Sequence, residues 1–237
     1  DAKHKTTCQF TNHFGGNANT LPRKLDEFNI FVRNNGALSL IHKVKAMSKT
    51  MLNAQISPQT PFGVVSTYRG TAQPDTAPTA VMLKSSGEPS YVLRDDIKKN
   101  QQWVDLHKVI FSKATCEHAG TPDRNGQYRV LSALAILQPQ CVCTQSYLVA
   151  GAYPTAQEAE NLLTYLKTKF VRYLILQTIT SQDLSPEKFM FVPLQNFTAA
   201  SDINWSAAIE EIDKQLYEKY GVDEAERSLI ENTIKEM

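Results

Sequence analysis

The spacing of apolar residues divides the chain into a helical start, a β-rich middle and a helical end. Up to about Pro22 no period is visible. TTCQFTNHFGGNANTLP is rich in Thr, Asn and Gly and reads as loop or linker. Leu25, Phe28 and Val32, then Leu38, Ile41 and Val44, recur at helical intervals interrupted by Asn34-Asn35-Gly36. That pattern predicts two short helices joined by a turn. After a loop holding Ser57-Pro58 and Pro61, the run Phe62 to Tyr68 has strand composition. Residues 70–80 carry Pro74 and Pro78 and read as an exposed loop.

From 81 to 153 the signals are mostly β. Val81-Met82-Leu83 and Tyr91-Val92-Leu93 flank a Ser-Ser-Gly-Glu-Pro turn. The run His107 to Lys113 is a strand candidate, and Asn125-Gly126 marks a turn before the apolar stretch 128–137. Cys141 to Val149 is a further β candidate.

The strongest local signal lies at 155–178. Thr155-Ala156-Gln157-Glu158 is a capping box, in which hydroxyl and carboxylate satisfy backbone N–H groups that have no helical partner. Ala159, Leu162, Leu163, Leu166, Phe170, Tyr173 and Leu174 then share one face, predicting a single long amphipathic helix. Phe189 to Val192 reads as a strand ended by Pro193. Two acidic helices close the chain. Ile209, Ile212, Leu216 and Tyr220 line the first, which Gly221 stops; Asp223 and Glu226 cap the second. The expected class is α+β: a mainly antiparallel sheet with helices at one side. The expected division is a linker at 1–24, a main domain at 25–200 and an acidic helical tail at 201–237 packed on it.

With 237 residues, 42% of them hydrophobic and 21% charged, the composition is that of an ordinary globular protein. The start is polar and unlike a signal peptide, and no apolar run is long enough to span a bilayer. Cys8, Cys116, Cys141 and Cys143 are too scattered for a disulfide scaffold, which points to a reducing cytoplasm. The net charge of +1 hides an asymmetry: residues 1–180 hold 20 Lys/Arg against 12 Asp/Glu, residues 181–237 only 5 against 12. The basic body can face phosphates, or the acidic tail can simply serve solubility.

Motifs for chemistry are few. There is no phosphate loop, no nucleophile elbow, no dinucleotide fingerprint and no tetrapeptide of the kind that methylates a base amine. Asp75 with Asp96 and Lys98 loosely matches a Mg²⁺-nuclease pattern, but Asp96 and Lys98 sit in a solvated run rather than a buried strand. Cys116, His118, Cys141 and Cys143 are conceivable zinc ligands. Their single-residue spacings are less usual than Cys-x₂₋₄-Cys, and buried thiols account for them as well. His4, His13, His42, His107 and His118 show no paired spacing and suggest no catalytic role.

Basic and hydroxyl residues interleaved with aromatics remain. Thr67 and Arg69 end the 62–68 run, Lys108 and Lys113 flank a strand, and Arg124 and Arg129 bracket the Asn-Gly turn. Lys167, Lys169 and Arg172 fall on the long helix. These are the residue types that contact phosphates and base edges, and equally those of a solvated surface.

Several segments resemble the C-terminal target recognition region of bacterial restriction–modification adenine-specific DNA methyltransferases. The class is type II, including the kind that fuses restriction with methylation. The segments are residues 27–35, 61–63, 108–114, Val142 to Leu148, Tyr165 to Leu174, Phe191 to Thr198 and Leu216 to Val222. Their order and spacing, rather than any catalytic motif, carry the resemblance. It implies a double-stranded DNA-reading fragment without catalytic residues or a cofactor of its own. A catalytic half preceding Asp1 would bind S-adenosylmethionine and the extruded adenine. A restriction subunit is a further implied partner. Two other functions compete: a nuclease using Asp75, Asp96 and Lys98, and a module that docks a restriction subunit through its acidic helices.

Overall fold

The computed structural model describes residues 7–14, 17–71, 80–88, 90–116 and 121–237. The fold is α+β. Its strands form three small sheets instead of one: β1 (Thr7–Phe14) with β2 (Asn17–Lys24), then β3 (Ala80–Lys84), β4 (Ser90–Leu93) and β7 (Cys141–Cys143) in the order β4-β3-β7. The third sheet holds β5 (His107–Ser112), β6 (Ala135–Leu137) and β8 (Tyr147–Tyr153) in the order β6-β5-β8. All pairings are antiparallel except β3 with β7, which is parallel.

The β6-β5-β8 sheet is covered on both faces. Along β5, Val109 and Phe111 enter the larger apolar core, while Ile110 between them enters a smaller one. On β8, Leu148 and Ala150 face the larger core and Tyr147 and Val149 the smaller. Two-sided burial explains why these strands read as continuous apolar runs without alternation. The smaller core adds Phe62, Val81, Val92 and Val142 from the first half of the chain and from β7. The larger holds the helices α1 (Leu38–Met47), α2 (Ala156–Lys167), α3 (Lys169–Leu176), α4 (Ile209–Lys219) and α5 (Glu224–Thr233).

Several expectations need correction. Residues 7–14 and 17–24 are paired antiparallel strands, and Asn35 Nδ2 donates to the carbonyls of Phe10 and Asn19 and so ties both strands to the body. Residues 25–33 are not helical, and α1 starts only after Asn34, whose side chain accepts from Gly36 N. Residues 62–68 and 189–192 make no strand: Phe62, Val64, Phe189 and Val192 are buried as irregular chain and a short 3-10 turn. The predicted long helix is two. Thr168 takes extended backbone angles, donates its hydroxyl to Tyr165 O at 2.7 Å and accepts from Val171 N, starting α3 afresh. The carboxylate of Asp213 takes the next N–H groups of that end, Lys169 N and Phe170 N, both at 2.9 Å. The caps read from sequence at Thr155 and Asp223 are present, the latter as a full capping box.

Candidate nucleic-acid interface

Four loop segments lie side by side along one rim of the molecule, each hydrogen-bonded to the next. Gln145 N donates to Val64 O at 2.9 Å, and Gln145 Nε2 to the Ser66 hydroxyl at 3.0 Å. Lys113 N donates to Ser146 O at 2.9 Å. Leu184 N donates to Lys113 O at 2.7 Å and Thr115 N to Gln182 O at 2.9 Å. The end of β3 joins them, since Thr144 N donates to Lys84 O at 3.0 Å. The rim thus collects Thr67, Arg69 and Lys84, all exposed, with half-buried Lys113, Gln145 and Ser146. Arg69 Nη1 holds the carbonyl of Ser66 at 2.9 Å, which orients the guanidinium without neutralising it. Lys113 pairs with Asp183 at 3.0 Å.

Gly70 sets the turn that presents Arg69. Its φ is +63°, and a Cβ there would stand 2.3 Å from the carbonyl oxygen of Tyr91. That close approach lets Thr71 and Tyr91 exchange two backbone hydrogen bonds, at 3.0 and 3.1 Å.

Arg124 and Arg129 occupy a second exposed segment. The Asn125-Gly126 turn is built on Asp123, whose carboxylate accepts from Asn125 N and Gln127 N at 2.9 and 3.0 Å. Those N–H groups, with Lys235 Nζ at 3.2 Å, hold the Asp123 carboxyl below the usual carboxylate range. Buried Val130 sits at φ +71°, in a three-residue turn closed by Leu131 N to Arg129 O at 2.9 Å. A β-branched residue held there costs about 1–3 kcal/mol, so the surrounding contacts impose it.

Two expected DNA contacts are corrected by burial. Lys108 is 0% exposed; its Nζ donates to Val104 O and Gln138 O, and burial pushes its pKa down to about 8. Arg172 is 1% exposed and donates to the carbonyls of Lys167, Thr168, Arg129 and Lys235. Neither presents a charge to solvent, because backbone carbonyls from its own turn and from segments distant in sequence converge on it. Lys169 is spent within the molecule, 2.6 Å from Glu231. Lys167 is half-buried at the end of α2, away from the rim segments in sequence and with no hydrogen bond to them.

The charge asymmetry is offset in part by local ion pairs. The acidic C-terminal region pairs with cations of the body: Glu226 and Asp223 with Lys43, Glu231 and Glu236 with Lys169, Asp183 with Lys113. Lys84, which ends β3, was missed in the sequence. A lysine placed between a strand and a Ser-Ser-Gly turn was the available signal for it.

Of the competing constellations, Asp75 and His118 lie outside the described residues. Asp96 and Lys98 are exposed at a 3-10 turn, with Lys98 Nζ on the carbonyl of Asp95 at 2.7 Å. Cys116 donates to Leu131 O at 3.5 Å, whereas Cys141 and Cys143 lie on β7, and burial pushes the Cys143 thiol up to about 12. Among the described residues no group of three or more His, Cys, Asp or Glu is placed to hold a metal ion. No helix among them is long and apolar enough to cross a membrane. No protein-family model matches the chain, and no curated protein matches it.

Proposed function

We propose that this chain reads double-stranded DNA for a restriction–modification adenine methyltransferase, working in the cytoplasm beside a catalytic half that binds S-adenosylmethionine. The observation that carries the reading is the rim. It gathers exposed Arg69 and Lys84 with the hydroxyls and amides of Thr67, Ser66 and Gln145 on adjoining loops. Cations at that density contact phosphates, and the amides and hydroxyls between them suit base edges. Arg124 and Arg129 add a second exposed cationic segment. The resemblance of segments 27–35 through 216–222 supports the same reading.

A docking module working through the acidic helices is the second reading: Asp223, Glu226 and Glu231 are turned to lysines of the same chain, while Glu210, Glu218 and Glu224 are exposed and without an ion pair among the described residues. Fluorescence anisotropy of the chain with mixed-sequence duplex across a salt series tests the proposal. Affinity is expected to fall steeply with salt as counterions are released. Absence of binding at low salt, with the catalytic half also supplied, would overturn it.

A further inference from the structure

A cleft of about 390 Å³ opens between β1 and the end of α3. That is within the range of ligand sites, roughly 300–1,000 Å³. Its strand wall is firmly built. Arg23, 3% exposed, donates to Val32 O at 3.1 Å and to Asn35 Oδ1 at 2.9 Å, and its guanidinium stands 4.9 Å from the centre of the Phe31 ring. Phe31 meets Phe10 edge-to-face at 4.8 Å. The paired strands are therefore tied to the body by a buried polar network.

The lining combines aromatic surface with unspent polar groups. Phe31 and Tyr128 supply the aromatic part. Asn12 Oδ1 accepts from Asn35 N at 3.3 Å, which leaves its amide N–H groups for a ligand. Gln177 Nε2 donates to Tyr173 O at 2.9 Å, which leaves its carbonyl oxygen. Exposed Arg33 and His13 stand at the same cleft, and Arg33 has no ion pair among the described residues. The Gln177 side follows the carboxyl end of α3, the negative end of a helix dipole. That side suits a ligand's amine, and the Arg33 side suits an anion.

We infer that this cleft takes an unstacked, amine-bearing nucleobase with its adjoining phosphate. The exocyclic amine would donate to the Gln177 carbonyl, a ring nitrogen would accept from Asn12, the ring would lie against Phe31 and Tyr128, and Arg33 would meet the phosphate. Aromatic stacking with edge hydrogen bonds is the way proteins hold bases outside a duplex. The source is either a strand with an unpaired base or a free mononucleotide. The first source rests on the DNA reading above; the second does not.

The test compares the whole chain binding to a fully paired duplex, to the same duplex with one unpaired adenine, and to dAMP alone by calorimetry. The bulged duplex is expected to bind roughly tenfold or more tightly than the paired one, the scale of one stacked base. Arg33→Ala and the cleft-filling Thr180→Trp are expected to remove that preference and leave paired-duplex affinity unchanged. Both residues are exposed, so the variants test the cleft rather than the core. Saturable dAMP binding that disappears in Thr180→Trp supports the cleft even where no duplex binds; in that case the DNA reading fails and this inference stands. Equal affinity for the two duplexes together with no dAMP binding overturns the inference alone. A preference that survives Thr180→Trp overturns it too.

Discussion

The guanidinium of Arg172 donates to the carbonyl oxygen of Lys235 at 2.7 Å, joining the first turn of α3 to the last residues of the chain. It also holds Arg129 O at 3.3 Å, beneath the turn that presents the Arg129 side chain. Arg172→Ala is expected to lower stability by about 2–4 kcal/mol, since buried carbonyls lose a charged donor. A urea titration measures this. Where the variant remains folded, its salt slope for DNA should match the parent's; a reduction by about 1 would instead mark a direct phosphate contact.

Asp213 gives the fold a pH dependence. Burial pushes its pKa up to about 6, against the opposing pull of the two N–H groups it accepts. The folded chain therefore binds this proton more tightly than the unfolded chain, whose carboxyl keeps the ordinary value of 3.8. The contribution is complete below the unfolded value and is lost as pH rises through about 6. Its size is on the order of 2–3 kcal/mol. Unfolding midpoints measured from pH 3.5 to 7 should lose this component of their slope in Asp213→Asn.

Lys108 is expected to behave in the opposite sense. Its depressed folded pKa, about 8, means stability from this group is present above the unfolded value of 10.5 and is lost as pH falls through 8. Replacing it need not orphan its acceptors. Val104 O also accepts from Gln140 N, and Gln138 O from Cys141 N. Lys108→Met should raise stability at pH 7 by about 1–2 kcal/mol, because a buried charge is exchanged for apolar packing. It should flatten the pH dependence between 8 and 10.5 and leave DNA affinity unchanged. A destabilised variant would contradict this account.

Gly70→Ala tests the rim. The added Cβ meets Tyr91 O in a backbone conformation that already disfavours side chains, so segment 66–71 must shift. A stability loss of about 1–3 kcal/mol is expected. DNA affinity should fall as Arg69 is re-aimed. Hydrogen exchange at Thr71 N and Tyr91 N would report the broken pair directly.

Arg69→Ala combined with Lys84→Ala tests the charge itself. Both side chains are exposed. The pair should leave thermal unfolding unchanged and reduce the salt slope of duplex binding by about 2, one for each phosphate left without its cation. An unaltered slope would move the interface elsewhere, with Arg124 and Arg129 next in line.

The sequence by itself determined the features whose physics is local. Thr155 and Asp223 each accept from a backbone N–H three residues ahead, so a tetrapeptide is enough to predict the start of α2 and of α5. Gly126 and Gly221, at φ +78° and +60°, likewise mark their turns without help from distant residues. The β3–β4 hairpin and β5 also follow from short-range composition. Tertiary structure decided whatever depends on partners remote in the chain. Residues 7–14 and 17–24 of the Thr/Asn/Gly-rich start are paired strands held to the body because Asn35 bridges them. The helix expected over 155–178 breaks at Thr168, where Asp213, more than forty residues away, receives the freed N–H groups. The rim exists because β5, β7 and β8 bring loops 64–69, 113–115 and 144–146 together. Lys108 and Arg172 are cations in composition but interior groups in fact, because carbonyls from elsewhere in the chain enclose them. A one-dimensional pattern records the type of a residue and the spacing of its neighbours. Whether a charge meets water or a carbonyl is settled only when distant segments pack.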